Sequence, residues 1–148
     1  MTVVCYRDGI MASDSLITAD LTRHGSIEKI SINKAGWIGG TAGLIVTCEV
    51  FHAWLKAGAS GVFTGTTAGD DFAAILISPS GVMYHVDDTG RRCKVKSDFM
   101  SIGSGCDFAL GAMQHGANAI RAVEAAIALS TNCGGEIQII KAKKRRNS

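Results

Sequence analysis

Thr2-Val3-Val4-Cys5-Tyr6-Arg7-Asp8-Gly9-Ile10-Met11-Ala12-Ser13-Asp14 follows Met1 at the start of the chain. Residues 3–6 and 10–13 are short β-prone runs, and Arg7-Asp8-Gly9 between them is a turn-forming cluster ending in glycine. The stretch therefore predicts a β-hairpin with Asp14 at the end of its returning strand. With Met1 removed, the chain would begin on Thr2. A threonine at a free N-terminus carries its hydroxyl and its α-amine on one residue, so nucleophile and general base are already within reach of each other. The reference pKa of an α-amine is about 7.7–8.0, which leaves a neutral fraction near pH 7 to accept the hydroxyl proton. Taken alone, a threonine in second position identifies nothing. The residues behind it give it weight.

A second alternation, Ile27-Glu28-Lys29-Ile30-Ser31-Ile32, predicts a strand on which Lys29 points opposite to Ile30. An ammonium beside the threonine would disfavour a protonated amine and favour a developing alkoxide, and an aspartate would hold that lysine as its counter-charge. Asp14 fits that role. Next comes Gly36-Trp37-Ile38-Gly39-Gly40-Thr41-Ala42-Gly43, followed by a helical pattern over 44–56 with Leu44, Cys48, Phe51 and Leu55 on one face. Glycines at a strand-to-helix junction let backbone approach a substrate closely, and amides at a helix start can point at an oxyanion.

In this order, Thr2, Ala12-Ser13-Asp14-Ser15, Glu28-Lys29-Ile30, Gly39-Gly40-Thr41-Ala42 and Ser101-Ile102-Gly103-Ser104-Gly105 resemble the proteasome β-type subunits, in particular short bacterial relatives of the HslV type and their phage-associated cousins. The resemblance runs from residue 2 to about residue 141. It implies Thr2 as nucleophile, Asp14 and Lys29 as its supporting pair, Gly39 as the oxyanion amide and Ser104 beside the threonine amine. Thr18, Trp37 and Gly40 would stand on the substrate side, contacting its backbone or lining the first specificity pocket. It also implies a homo-oligomeric ring and an unfoldase ATPase as partner.

Three features depart from that family pattern. Where relatives place an aspartate and, three residues later, a hydroxyl before two glycines, this chain has Ser130 and Cys133 ahead of Gly134-Gly135. Serine hydrogen-bonds but cannot supply the negative charge, so a slow site is expected. Residues 57–69 carry four glycines and no charge and predict a loop where relatives have a second helix. The tail Lys141-Ala142-Lys143-Lys144-Arg145-Arg146 packs five basic residues into six positions, a solvated solubility tail by default.

The 148 residues suit one domain, 1–148, and 47% apolar content fills its core. The formal charge of +2 comes from the tail at 141–148: without those five residues the body holds ten basic against thirteen acidic ones. No basic face for nucleic acid is therefore expected. Apolar runs fall short of the ~20 residues of a membrane span, and Arg7 and Asp8 interrupt any signal-peptide pattern, so no membrane association and a cytoplasmic location are expected. Five cysteines without a CxxC pair read as reduced thiols, mostly small core residues. His24, His52, His85 and His115 show no ligand spacing; no metal and no cofactor are expected.

Residues 72–78 and 82–86 predict a hairpin over Ser78-Pro79-Ser80-Gly81, with strands following at 93–96, 99–103 and 136–141 and helices at 108–114 and 118–129. Ala73-Ala74-Ile75-Leu76-Ile77 is apolar on both faces of its strand, as in a sheet covered on both sides. This fits an α+β fold in which two antiparallel sheets stack between helical layers, the four-layer αββα sandwich that the resemblance also implies. The expected activity is that of a threonine peptidase cleaving amide bonds of peptides or unfolded protein through an acyl-enzyme at Thr2. Two alternatives stay open at this stage: a non-catalytic assembly or scaffold subunit, and an amidase for small acylated compounds.

Overall fold

The computed structural model describes residues 2–19 and 22–143. The predicted hairpin forms from β1 (Val4–Arg7) and β2 (Ile10–Ser13), with Val4 opposite Ser13 and Arg7 opposite Ile10. Asp8 (φ 50°) and Gly9 (φ 79°) are both left-handed, the two-residue turn whose twist matches that of its strands. Two further antiparallel strands, β10 (Phe99–Ile102) beside β1 and β11 (Gln138–Lys141) beside β2, complete the sheet β10-β1-β2-β11.

A five-stranded antiparallel sheet runs β5-β6-β7-β8-β9, built from Ile30–Ile32, Ile38–Gly43, Phe72–Ile77, Met83–Val86 and Arg92–Val95. β5 is shorter than the alternation at 27–32 predicts, and Lys29 immediately precedes it. The turn at 78–81 closes as expected, the Gly81 amide donating to the Ser78 carbonyl at 2.9 Å. A hairpin that the sequence did not announce, β3 (Leu16–Ala19) with β4 (Thr22–Ser26), forms a third sheet.

Helix α1 (Ile45–Lys56) buries Thr47, Phe51 and Leu55 against the five-stranded sheet. Leu44, expected on that face, is its exposed N-cap instead. α2 (Cys106–Gln114) and α3 (Ala119–Leu129) cover the four-stranded sheet through Ala109, Met113, Ala122, Val123 and Ala126. The Asn118 side chain caps α3 by accepting from the Arg121 amide at 2.8 Å. Strand β7 divides its side chains as the sequence suggests: Ile75 and Ile77 enter the core shared with Val4, Tyr6 and Met11, while Ala74 and Leu76 pack with Phe51 and Leu55.

The expected four-layer αββα sandwich of two sheets is corrected by this arrangement. Among the described residues the fold is mostly sheet, eleven strands in three antiparallel sheets with only three short helices. Residues 57–71 form no helix, so α1 stands alone on its sheet, and the β3–β4 hairpin takes residues that a two-sheet scheme leaves as connection. No helix of the described residues is long and apolar enough to cross a membrane. Cys5 and Cys133 are buried but Cys93 is exposed, so the cysteines are less uniformly core residues than expected. Of the basic tail, residues 144–148 lie outside the described residues, as does Met1.

Candidate active site

The hairpin register decides the site, because Asp14 follows β2 opposite the residue that precedes β1. Its amide donates to the Val3 carbonyl at 3.2 Å, and its Oδ1 accepts from the Val3 amide at 3.1 Å. Asp14 is fully buried. A carboxylate in that position must be paired and hydrogen-bonded. Lys29 Nζ donates to Asp14 Oδ1 at 3.0 Å and to the Leu16 carbonyl at 2.8 Å, and the Gly134 amide donates to Asp14 Oδ2 at 3.1 Å. The Lys29 side chain is only 7% exposed. Aspartate and lysine thus form a buried ion pair beneath the first residues of the chain.

Thr2 is held from the other side by the loop at 103–105. Its nitrogen donates to Ser104 Oγ at 3.3 Å, and its carbonyl accepts from the Gly105 amide at 3.1 Å. Gly103 (φ 98°) has to be glycine there, since a Cβ would come within 2.0 Å of the Thr2 carbonyl oxygen. Thr2 and Lys29 line one small cavity of about 30 Å³ together with Thr41, Gly43 and Cys48. That volume is about the share of one water in the liquid. On the Ser104 side a cavity of about 500 Å³ opens among Thr2, Thr18, Gly43, Asp71 and Phe72. On the α1 side one of about 470 Å³ is walled by Ile27, Ser31, Cys48, Glu49, His52 and Lys56.

Of the residues singled out in the sequence, Thr2, Asp14, Lys29, Ser104 and Thr18 converge on this region. Gly39, Gly40 and Trp37 do not. Gly39 lies inside β6, paired with Ser31 on one side and Leu76 on the other, and a Cβ on it would meet Phe51 and Leu55 of α1 at 2.9 and 3.0 Å. Its smallness lets the helix seat on the sheet. Gly40 faces the core between the sheets, where a Cβ would meet Val4 at 2.5 Å. Trp37 precedes β6, about 20 Å of strand from Gly43, and packs against Tyr84 and Arg92.

Ser130 caps the end of α3 and accepts from the Asn132 amide at 3.3 Å, while Cys133 is buried in the core beneath α3. The contact of this segment with the ion pair is made by the Gly134 amide. No three His, Cys, Asp or Glu side chains among the described residues converge on a metal-sized point.

The sequence reading missed Gly43, Gln138 and His52. Gly43 ends β6 at φ 117°, where a Cβ would come within 2.0 Å of the Asp71 carbonyl oxygen, and it borders both cavities that touch Thr2. The only signal available was its place as the last glycine of the run before the helix. His52, on α1, ties the helix to β5 and β6, its Nδ1 bonded to Ser31 Oγ at 2.5 Å and its Nε2 to Thr41 Oγ1 at 3.0 Å. Burial, assisted by the Lys56 charge, pulls its pKa from 6.5 down to about 4.

The folded state therefore holds His52 neutral, and the stability that depends on it is full above pH ~6.5 and lost as pH falls toward 4. We expect a loss of about 3 kcal/mol across that window from this residue. Urea unfolding at pH 7 and pH 4.5 checks it: His52→Gln should lose less stability between the two than the parent chain.

No protein-family model and no curated protein matches the sequence. Solved structures do match the fold. Thiobacillus denitrificans BPH in complex with epoxomicin superposes with a TM-score of 0.66 at 16% sequence identity, over 97% of this chain and 99% of that one. A second structure of Thiobacillus denitrificans BPH gives 0.63 at 17%, over 96% and 98%. At such identities the likeness is one of fold.

Proposed function

We propose that this chain is an N-terminal threonine hydrolase of amide bonds, related to the proteasome β-type subunits. The observation that carries the proposal is the arrangement around Thr2, whose nitrogen is held by Ser104 and which lines a small cavity together with Lys29, the lysine paired to buried Asp14. Once Met1 is removed, the Thr2 amine takes the hydroxyl proton, directly or through a water in that cavity, and Oγ attacks the amide carbon. The Lys29 ammonium favours the negative charge on Oγ as it develops. Gly43 replaces Gly39 as the residue whose amide stabilises the oxyanion, since it borders the threonine and opens onto the start of α1, where the helix dipole adds positive potential. The C–N bond then breaks, the leaving nitrogen takes the proton from the amine, and an ester on Thr2 remains. Water, deprotonated by the same amine, hydrolyses it.

A cavity of about 500 Å³ that opens at Thr2 favours an extended peptide over a small acylated compound. The BPH structure with epoxomicin supports testing that compound on this chain. The ring assembly is a part of the proposal supported by apolar surface: Leu44, Ile45, Val46 and Val50 are exposed together around the start of α1, Val46 at 73%. N-terminal sequencing combined with a fluorogenic peptide-amide assay tests the proposal. Active preparations should begin at Thr2; hydrolysis by chains that retain Met1 would overturn the mechanism.

A further inference from the structure

Gln138 opens β11 at the edge of the four-stranded sheet, opposite Ser13 in register. Its side chain leaves that sheet and grips the segment just before β5. Nε2 donates to the Ile27 carbonyl at 2.9 Å and Oε1 accepts from the Lys29 amide at 2.8 Å. Those are the two bonds that the peptide groups of a parallel neighbouring strand would make on either side of Glu28. The same Oε1 accepts from Ser13 Oγ at 3.3 Å, and Ser13 is the chain neighbour of Asp14. One amide thus ties the backbone of the lysine to the residue beside its aspartate. The Thr41 amide fixes the far side of Lys29 by donating to its carbonyl at 3.0 Å.

We propose that Gln138 is a positioning residue for the reaction at Thr2: through its side-chain amide it sets the main chain on which Lys29 is mounted and holds the Lys29–Asp14 pair against the cavity shared with Thr2. The inference rests on the threonine-hydrolase proposal above. Gln138 touches neither Thr2 nor a reacting atom, so its effect falls on the rate of attack and leaves substrate capture alone. A side chain that merely glued two sheets together would change stability without separating those quantities.

The test follows epoxomicin adduct formation by mass spectrometry as a function of inhibitor concentration, in the full chain and two variants. Gln138→Met keeps the length and removes all three hydrogen bonds. Gln138→Glu keeps an acceptor for Lys29 and Ser13, loses the donor to Ile27 and adds one negative charge. We expect the saturating rate of Gln138→Met to fall about tenfold or more, the half-saturating concentration to stay within about twofold, and Gln138→Glu to recover part of the rate. Should Gln138→Met fail to fold, Gln138→Asn, one methylene too short to span both partners, carries the same comparison. A reactive parent chain with an unaltered saturating rate in the folded variant overturns the positioning role alone. A parent chain that begins at Thr2 and forms no adduct overturns the hydrolase proposal and this one with it.

Discussion

Replacing Thr2 by alanine should abolish acyl-enzyme formation, a loss of at least about 10³-fold in amide hydrolysis, because no other group at the site carries both nucleophile and base. Stability should change little. The bonds that hold residue 2, from its nitrogen to Ser104 and from Gly105 to its carbonyl, are made by main-chain atoms that alanine retains. Thr2→Ser keeps the hydroxyl and should keep a measurable part of the rate, whereas Cys48, which lines the small cavity with Thr2, is a poor substitute because burial raises its thiol pKa and disfavours the thiolate. Hydrolysis of a peptide amide by purified Thr2→Ala, at the parent rate, would require a different nucleophile.

The second large effect falls on the ion pair. Lys29→Met should remove activity and also destabilise the fold by about 3–5 kcal/mol, since it leaves Asp14 fully buried with its charge balanced only by the Val3 and Gly134 amides. That is a sizeable part of a typical domain's stability of about 5–15 kcal/mol. Folding is thus less indifferent to this lysine than a surface charge at a strand end would be. Adding Asp14→Asn to Lys29→Met removes the orphaned charge and should return part of the stability without any of the activity. Denaturant midpoints of the two variants, set beside their hydrolysis rates, check both halves: a single Lys29→Met as stable as the parent would mean that the pair contributes nothing to the fold.

The parts of the site legible in the sequence are those fixed locally. The turn Asp8-Gly9 sets the register of the first hairpin, and the register puts Asp14 against Val3, so two strands of four residues suffice to bring an aspartate beneath Thr2. Lys29 could be read because it lies just before the alternating residues of β5. The glycine that borders Thr2 could not be read so easily. Which of Gly39, Gly40 and Gly43 reaches the site depends on where β6 ends, and that is set by pairing with β7 and by the Leu44 amide bonding to Asp71, contacts nearly thirty residues away in the chain. Gly39 and Trp37, singled out in the sequence, therefore lie away from Thr2, while Gly43 borders it.

Gln138 is farther still from the segment it holds, 109 positions from Lys29, and a glutamine at the head of an edge strand carries no chemical signature of its own. At the level of the whole fold, the apolar run of β7 correctly foretold a sheet buried on both faces, but not how the layers divide. A hairpin of exposed residues such as β4 has no hydrophobic alternation to announce it, whereas the glycine-rich stretch at 57–69 does form the loop that its composition predicts.

Whether Thr2 is the nucleophile shows in the intact mass of the purified protein before and after incubation with epoxomicin, in the parent chain and in Thr2→Ala. The parent mass should correspond to a chain that begins at Thr2 and should rise by one inhibitor, with Thr2→Ala unchanged. An adduct of equal extent on Thr2→Ala, or a processed parent chain that takes up none, would contradict that role for Thr2.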